Sequence, residues 1–362
     1  MTLKTQIAIP SLVRVKSGAL DRLGLYLKRN AHSRAMVLVS RGMVPAYVDR
    51  VRESFAAEGV ACDDWIEVDD ASFERAAELF AGVRKEIKAV VGLGGGKALD
   101  VAKYVAFLAR LPYYATPTSL SNDGFCSPQS SLTVQGRRKS LAAALPFAVV
   151  VDLEVCKDAP RSLWLSGIGD LASKITAIHD WKLAFHAVGE PVDDFAALLS
   201  DATVYQFLGQ PSFDIQGAQL LSTSLMFNGV AMEICGSSRP ASGSEHLISH
   251  ALDAIAERPR LHGLQVGVAT YLMSLLQRNQ SERIDRLFDQ TGFWDQIRDD
   301  PFSRDEWSRA IRLAPSIKED FYTVLSQEGA VDRAISLLDE DERLKPCFIG
   351  AFARRESTDH RD

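Results

Sequence analysis

The sequence predicts an α/β nucleotide domain followed by a helical domain. Three observations carry this. Strand-like and amphipathic helix-like segments alternate up to about residue 155, strand signals fade after Pro160, and three glycines stand together at a strand-to-helix junction, Gly94-Gly95-Gly96. Such alternation favours a parallel sheet with helices on its faces. The expected division is an α/β domain at 1–158, a helical domain at 159–350 and a flexible tail at 351–362.

The elements follow in order. The N-terminal stretch MTLKTQIAIPSLVRV alternates like a strand, and RAMVLVS (34–40) is a short apolar strand. VPAYVDRVRESFAAEG reads as an amphipathic helix ending in Gly59, VACDDWIEVD as a strand, and SFERAAELFAGVRKE as a second helix. IKAVVGLGG is the next strand. The helix after it, KALDVAKYVAFLARL, repeats apolar residues at Ala98, Val101, Ala102, Val105 and Leu108, the spacing of one helix face. PYYATPT is a further strand, and FAVVVDL (147–153) closes the region. RSLWLSGIGDLASKITAIHDWKLAF is helical, as is most of the chain from there to Leu338.

Glycines at a strand-to-helix turn let the backbone approach a ligand and leave helix N-terminal amides for an anion. Two common phosphate loops are excluded. The P-loop pattern needs Gly at 91 and Ser or Thr at 98, where this chain has Val91 and Ala98. The Gly-x-Gly-x-x-Gly fingerprint fails at Lys97. A phosphate cradle of another type is the expectation.

Composition narrows the function. The chain has 362 residues, is 46% hydrophobic and 24% charged, and carries a net charge of −6 without a long basic run. These values describe an ordinary globular protein and argue against a nucleic-acid partner. No apolar stretch reaches the length of a membrane span, and the N-terminus lacks the apolar core of a signal peptide. Five scattered cysteines form no CxxC pair, as expected of reduced thiols in a cytoplasm and not of a thiolate metal site.

Three of the seven histidines, His246, His250 and His262, fall within seventeen positions. His246 and His250 are four apart and share one helix face. Clustered histidines with small neighbours point to a metal. A catalytic Zn²⁺ takes about three protein ligands and keeps one position open. Asp170 is the best carboxylate to complete the set, although an Asp after Gly-Ile-Gly at a helix start also suits an N-cap, and Asp180, Glu233 and Glu245 compete for the role.

The segments GGGKALDVAK, TPTSLSNDGFCSPQSSL, GIGDLASKITAIHDWKLA, SSRPASGSEHLISHALD and LHGLQVGV occur in this order. Together they resemble the sn-glycerol-1-phosphate dehydrogenase family, within the superfamily of iron-type alcohol dehydrogenases, glycerol dehydrogenase and dehydroquinate synthase. The likeness runs from about residue 35 to 340, and SRPASGSEH is its most specific part. The resemblance implies a Rossmann-like domain and a helical metal- and substrate-binding domain of the dehydroquinate synthase-like fold. It implies metal ligands Asp170, His246 and His262, with Zn expected and Fe or Ni as alternatives. It also implies that Gly94, Gly95, Gly96, Lys97 and Asp100, with Thr116, Thr118 and Ser119, bind NAD or NADP. Arg41, after the first strand, favours acceptance of the NADP 2′-phosphate.

The implied reaction is reduction of a small phosphorylated ketone, dihydroxyacetone phosphate, to sn-glycerol 1-phosphate. Asp123 would bind a substrate hydroxyl, His250 would bind substrate and relay a proton, and Arg239 would grip the phosphate. Two positions depart from the family pattern: Leu264 replaces a common Glu, and Asn122 a common His. Both are expected near the site. The rival readings are a sugar-phosphate cyclase, disfavoured by Gln129 where cyclases carry a Lys, and a dehydrogenase of free polyols. A homo-oligomer is expected.

Overall fold

The computed structural model describes residues 7–350. The expected tail at 351–362 and the first six positions of the strand-like N-terminal stretch lie outside the described residues. The chain opens with β1 (Leu12–Lys16) and α1 (Leu23–Arg29), then alternates: β2 (Arg34–Ser40), α2 (Pro45–Glu58), β3 (Ala61–Val68), α3 (Phe73–Ala81), β4 (Ala89–Gly94), α4 (Gly96–Ala109) and β5 (Tyr113–Pro117). A hairpin, β6 (Gln129–Val134) and β7 (Arg137–Ala142), precedes β8 (Ala148–Asp152).

Six strands form one parallel sheet in the order β1-β8-β5-β4-β2-β3. Strands β4, β5 and β8 are buried along their whole length, as parallel strands covered on both faces must be. Alternate residues feed opposite faces. Val37, Val39, Val91 and Leu93 join one apolar cluster, while Met36, Leu38 and Val90 join the other. From β2 the chain steps outward to β3, then returns to the other side for β4. The carboxyl ends of β2 and β4 therefore flank the point where strand order reverses, the usual ligand crevice of open α/β sheets.

The hairpin was not legible in the sequence. β7, RRKSLA, lies almost wholly in solvent and has no apolar face to pattern it. The turn Gln135-Gly136 has positive φ at both residues, +50° and +75°, which suits a tight hairpin.

The helical half follows: α5 (Leu153–Lys157), α6 (Arg161–Ala172), α7 (Lys174–Val188), α8 (Asp194–Gly209), α9 (Ile215–Cys235), α10 (Ser244–Ile255), α11 (His262–Gln277), α12 (Ser281–Thr291) and α13 (Phe293–Asp299). A two-residue strand β9 (Phe302–Ser303) precedes α14 (Arg304–Leu313) and α15 (Ala330–Glu340), and pairs with β10 (Phe348–Ile349), so this half is not purely helical. The large core cluster of these helices also takes in Val149 and Val151 of β8, which makes the apolar interior continuous across the two halves.

One helix crossing positions the site. α6 meets α11 backbone to backbone. A Cβ at Gly169 would stand 2.1 Å from the Gly263 carbonyl oxygen, and one at Gly263 would stand 1.8 Å from that of Ser166. Only glycine permits this approach, and it brings Asp170 beside His262.

Candidate metal and cofactor site

Three side chains converge where α6, α10 and α11 meet. Asp170, His246 and His262 each offer a ligand atom, and these atoms lie within 4.8 Å of one another. Asp170 lies in the last turn of α6, whose N-cap is Pro160. The N-cap reading of Asp170 is therefore corrected: its carboxylate points into the cluster and does not close a helix start. Its Oδ1 is 3.4 Å from His246 Nε2 and 3.9 Å from His262 Nε2. That oxygen is buried and has no hydrogen-bond partner among the described residues. The other oxygen accepts the Asp123 amide at 3.0 Å and lies 3.5 Å from Lys174 Nζ.

Neighbouring groups set the ring orientations. His246 Nδ1 contacts Glu245 Oε1 at 2.9 Å, and His262 Nδ1 contacts Ser249 Oγ at 3.2 Å. Each ring is therefore held by one nitrogen and turns Nε2 toward Asp170, the outer-shell arrangement of metal-binding histidines. Burial, with the charge of His246, drives the pKa of His262 down to about 3. Burial opposes ionisation of Asp170, yet Lys174 and His246 hold its carboxyl well below the usual range. An ionised carboxylate and neutral imidazole are the forms that bind a cation. The orphaned oxygen and the His-His-Asp donor set fit a divalent ion with an open position.

The competing carboxylates lie outside this group. Asp180 accepts the Ser244 amide at 2.7 Å and the Val324 amide at 2.8 Å, tying the start of α10 to α7. Glu245 accepts the Gly243 amide at 2.6 Å and the Thr176 hydroxyl at 2.8 Å. Glu233 is buried near the end of α9.

His250 stands one turn beyond His246, its ring 6.3 Å from that of His246 and 5.9 Å from that of His262. Burial and the charges of His246, Arg138 and Lys318 push its pKa down to about 3. Asp123 belongs to the same group: Lys174 Nζ donates to its Oδ2 at 2.9 Å. Burial and Asp170 raise the Asp123 pKa against the pull of Lys174. Asn122 Oδ1 accepts the Gly124 amide at 2.9 Å, which fixes the turn carrying Asp123.

Two expectations need correction. Arg239 is fully buried and its donors are engaged. Nε donates to Glu190 Oε1 at 2.8 Å, Nη1 to the Tyr322 carbonyl at 2.7 Å and Nη2 to Glu190 Oε2, while the guanidinium lies over the Phe321 ring. It is a structural ion pair and not a phosphate clamp. Leu264, two residues past His262, points away around α11 into the apolar core.

The glycine loop sits at the reversal point of the sheet. Gly94 has φ +138°, and a Cβ there would lie 2.2 Å from Ser40 Oγ, so the protein itself demands this glycine. At Gly95 and Gly96 a Cβ would meet nothing within 4 Å. Their bareness serves no contact of the chain, which is what a ligand cradle requires. The Gly95 amide donates to Ser40 Oγ at 3.0 Å. The amides of Gly96, Lys97 and Ala98 open α4, where intrahelical partners are lacking. Gly94 pairs with Pro117 across the sheet, and the Thr118 amide donates to the Gly94 carbonyl at 3.0 Å, so both loops share one edge. Thr116 Oγ1 is buried without a partner among the described residues, and Ser119, three residues on, is also buried.

Lys97 is exposed, 3.5 Å from the Asp69 carbonyl. Arg41 pairs with Asp69. The Asp100 carboxylate is buried, 3.4 Å from Lys103 Nζ. Sequence reasoning missed Lys174, Ser249 and Lys103, and considered Glu245 only as a rival metal ligand, not as the partner of His246 Nδ1. Only Lys174 left a signal, four residues after Asp170.

Comparison with known proteins places the chain in a family. The iron-containing alcohol dehydrogenase family matches residues 14–160. The glycerol-1-phosphate dehydrogenase [NAD(P)+] of Aeropyrum pernix is 36% identical over 340 residues, covering 92% of this chain and 96% of the relative. The chain belongs to the glycerol-1-phosphate dehydrogenase family. The enzyme of the same name from Methanothermobacter thermautotrophicus is 34% identical over 351 residues, covering 92% of this chain and 97% of that one. In fold, the chain is similar to a probable glycerol dehydrogenase from Sinorhizobium meliloti 1021, with TM-score 0.73, 20% identity and coverage of 92% and 98%. It is also similar to glycerol dehydrogenase from Schizosaccharomyces pombe, with TM-score 0.70, 18% identity and coverage of 91% and 89%. The chain is thus an NAD(P)-linked dehydrogenase of this family, with the parallel-sheet and helical architecture that the sequence predicted. No helix among the described residues is long and apolar enough to cross a membrane.

Proposed function

We propose that this enzyme reduces dihydroxyacetone phosphate to sn-glycerol 1-phosphate with NADH or NADPH, using a divalent metal held by Asp170, His246 and His262. The observation that carries the reading is the orphaned Asp170 Oδ1 facing two histidines that are each anchored through Nδ1. Zn is the proposed ion, with Fe or Ni as alternatives. A bound divalent ion polarises a carbonyl oxygen, and a reduced nicotinamide supplies the hydride. The α/β half, 1–158, is the proposed cofactor domain, and 159–350 the metal and substrate domain.

The chain's own groups do the rest. Gly95, Gly96 and the first turn of α4 receive the cofactor pyrophosphate, with the helix dipole adding positive potential. Thr116, Thr118 and Ser119 border the same edge and bind the ribose and nicotinamide end. Lys174 fixes the Asp123 carboxylate, which accepts a hydrogen bond from a substrate hydroxyl. His250, neutral at pH 7, relays a proton to the new alcohol oxygen, one ring nitrogen donating as the other accepts a proton from solvent. The proposal includes a cytoplasmic homo-oligomer. All five cysteines carry thiols, and Phe185, Val188, Phe195 and Leu198 expose apolar surface on α7 and α8.

Absorbance at 340 nm with dihydroxyacetone phosphate tests the reaction. Net oxidation of the reduced cofactor supports it. Product without net oxidation indicates a cyclase, and a preference for free dihydroxyacetone indicates a polyol dehydrogenase.

A further inference from the structure

A phosphate-bearing substrate needs a cation, and Arg239 is consumed by Glu190. We propose that Lys318 receives the substrate phosphate, with Arg138 as a second cation on the facing hairpin. The inference rests on the reading of the substrate given above. Lys318 is solvent-accessible, and among the described residues its Nζ makes a hydrogen bond to a hydroxyl and no ion pair. Its Nζ is 3.1 Å from Ser238 Oγ and 3.9 Å from the centre of the Phe321 ring, the ring that Arg239 covers. The amine is held by one hydroxyl and one aromatic ring, and its only nearby counter-charge among the described residues is Glu190, whose carboxylate oxygens are both bound by Arg239.

The placement follows from the turn that feeds α10. The Ser238 carbonyl accepts the amides of Ala241 and Ser242 at 2.9 and 2.8 Å. Lys174, which bonds Asp123, also donates to the Ala241 carbonyl at 3.1 Å. One end of this turn thus carries Lys318, and the other touches the Asp123–Asp170 group. A substrate lying along it would put its oxygens at the metal ligands and its phosphate at Lys318. Arg138 on β7 bonds Ser131 Oγ through Nε at 2.7 Å, which leaves its terminal nitrogens open. β7, which carries Arg138, and the turn at 314–316, just before Lys318, both pack against α10, the helix that bears His246 and His250. The crowded surroundings of the amine and the neighbouring Arg239 lower the pKa of Lys318 against the pull of Glu190, a cost that an arriving anion relieves.

The test compares wild type, Lys318→Ala and Lys318→Arg. Loss of one charge-assisted hydrogen bond should raise KM for dihydroxyacetone phosphate about ten-fold or more, with Lys318→Arg restoring most of it. The weak turnover of free dihydroxyacetone should not change. Equal losses for both ketones, or an unchanged KM, overturn the assignment. A second arm uses inorganic phosphate followed by 31P NMR. Binding to wild type that Lys318→Ala abolishes supports the subsite, even where dihydroxyacetone phosphate is not reduced and the reaction reading fails. Equal binding to both proteins, or none to wild type, overturns it.

Discussion

Glu190 grips the guanidinium of Arg239 with both carboxylate oxygens, and the Arg239 side chain is only 1% exposed. The pair ties the loop after α7 to the turn before α10. Breaking a buried pair costs about 3–5 kcal/mol because the abandoned charge has no partner. Glu190 retains 27% exposure and can rehydrate, which places Arg239→Ala at the lower end, about 3 kcal/mol. Calorimetry should show a clear fall in Tm for Arg239→Ala and a favourable coupling with Glu190→Gln in a double-mutant cycle. A wild-type Tm with only weakened substrate binding would return Arg239 to the role of phosphate ligand.

His262→Ala should strip the metal while leaving the fold in place. His262 is 28% exposed in side chain, so its truncation opens little of the core. Removing a ligand should cost about a hundredfold or more in metal affinity. Ser249→Ala, which frees the far nitrogen of the ring and removes one acceptor of Gln265 Nε2, should fall within the 10–100-fold range of outer-shell partners. Elemental analysis after dialysis against a weak chelator measures both. A full complement of metal in His262→Ala sinks the assignment.

Gly95→Val should weaken cofactor binding about ten-fold or more without a large change in Tm, since φ there is −91° and the added Cβ meets open space. Gly94→Ala should instead lower Tm, because its φ of +138° and the Ser40 hydroxyl leave no room for a side chain. Cofactor fluorescence titration and thermal unfolding separate the two. Undiminished affinity in Gly95→Val would reduce the loop to a packing turn.

How far the sequence reaches depends on how local the determining physics is. The central strands β4, β5 and β8 were legible because buried parallel strands are nearly continuous apolar runs. The His246–His250 pair was legible because helix spacing is local. Arg239 was misread because its small neighbours resembled room for a ligand, while the answering Glu190 is 49 positions away. The N-cap alternative for Asp170 arises because the helical run from Arg161 reads as continuous and nothing nearby reveals that it breaks at Ser173, which puts Asp170 in the last turn of α6. Lys318 left no signal: an unpaired lysine in a loop reads as ordinary surface until its lack of an ion pair and its nearness to His250 are seen in three dimensions.

His32 makes the stability of the α/β half depend on pH. It stands at the mouth of β2, with Nδ1 2.9 Å from the buried Tyr114 hydroxyl and its ring edge-on to Tyr114 and Phe147. Burial lowers its pKa below the ordinary value of 6.5. Above about pH 7.5 the imidazole is neutral in both folded and unfolded chains and adds no slope. As pH falls through about 6.5, the unfolded chain takes up a proton that the folded chain resists. Unfolding is then favoured, so this stability is lost on acidification, down to the depressed folded pKa. His32→Gln removes the titration while keeping a polar side chain. The difference in Tm between wild type and His32→Gln should therefore shift against wild type between about pH 7.5 and pH 5. His179, also held neutral by burial, is common to both proteins and cancels in the comparison. Parallel Tm profiles across that window would show that His32 titrates alike in the folded and unfolded chains.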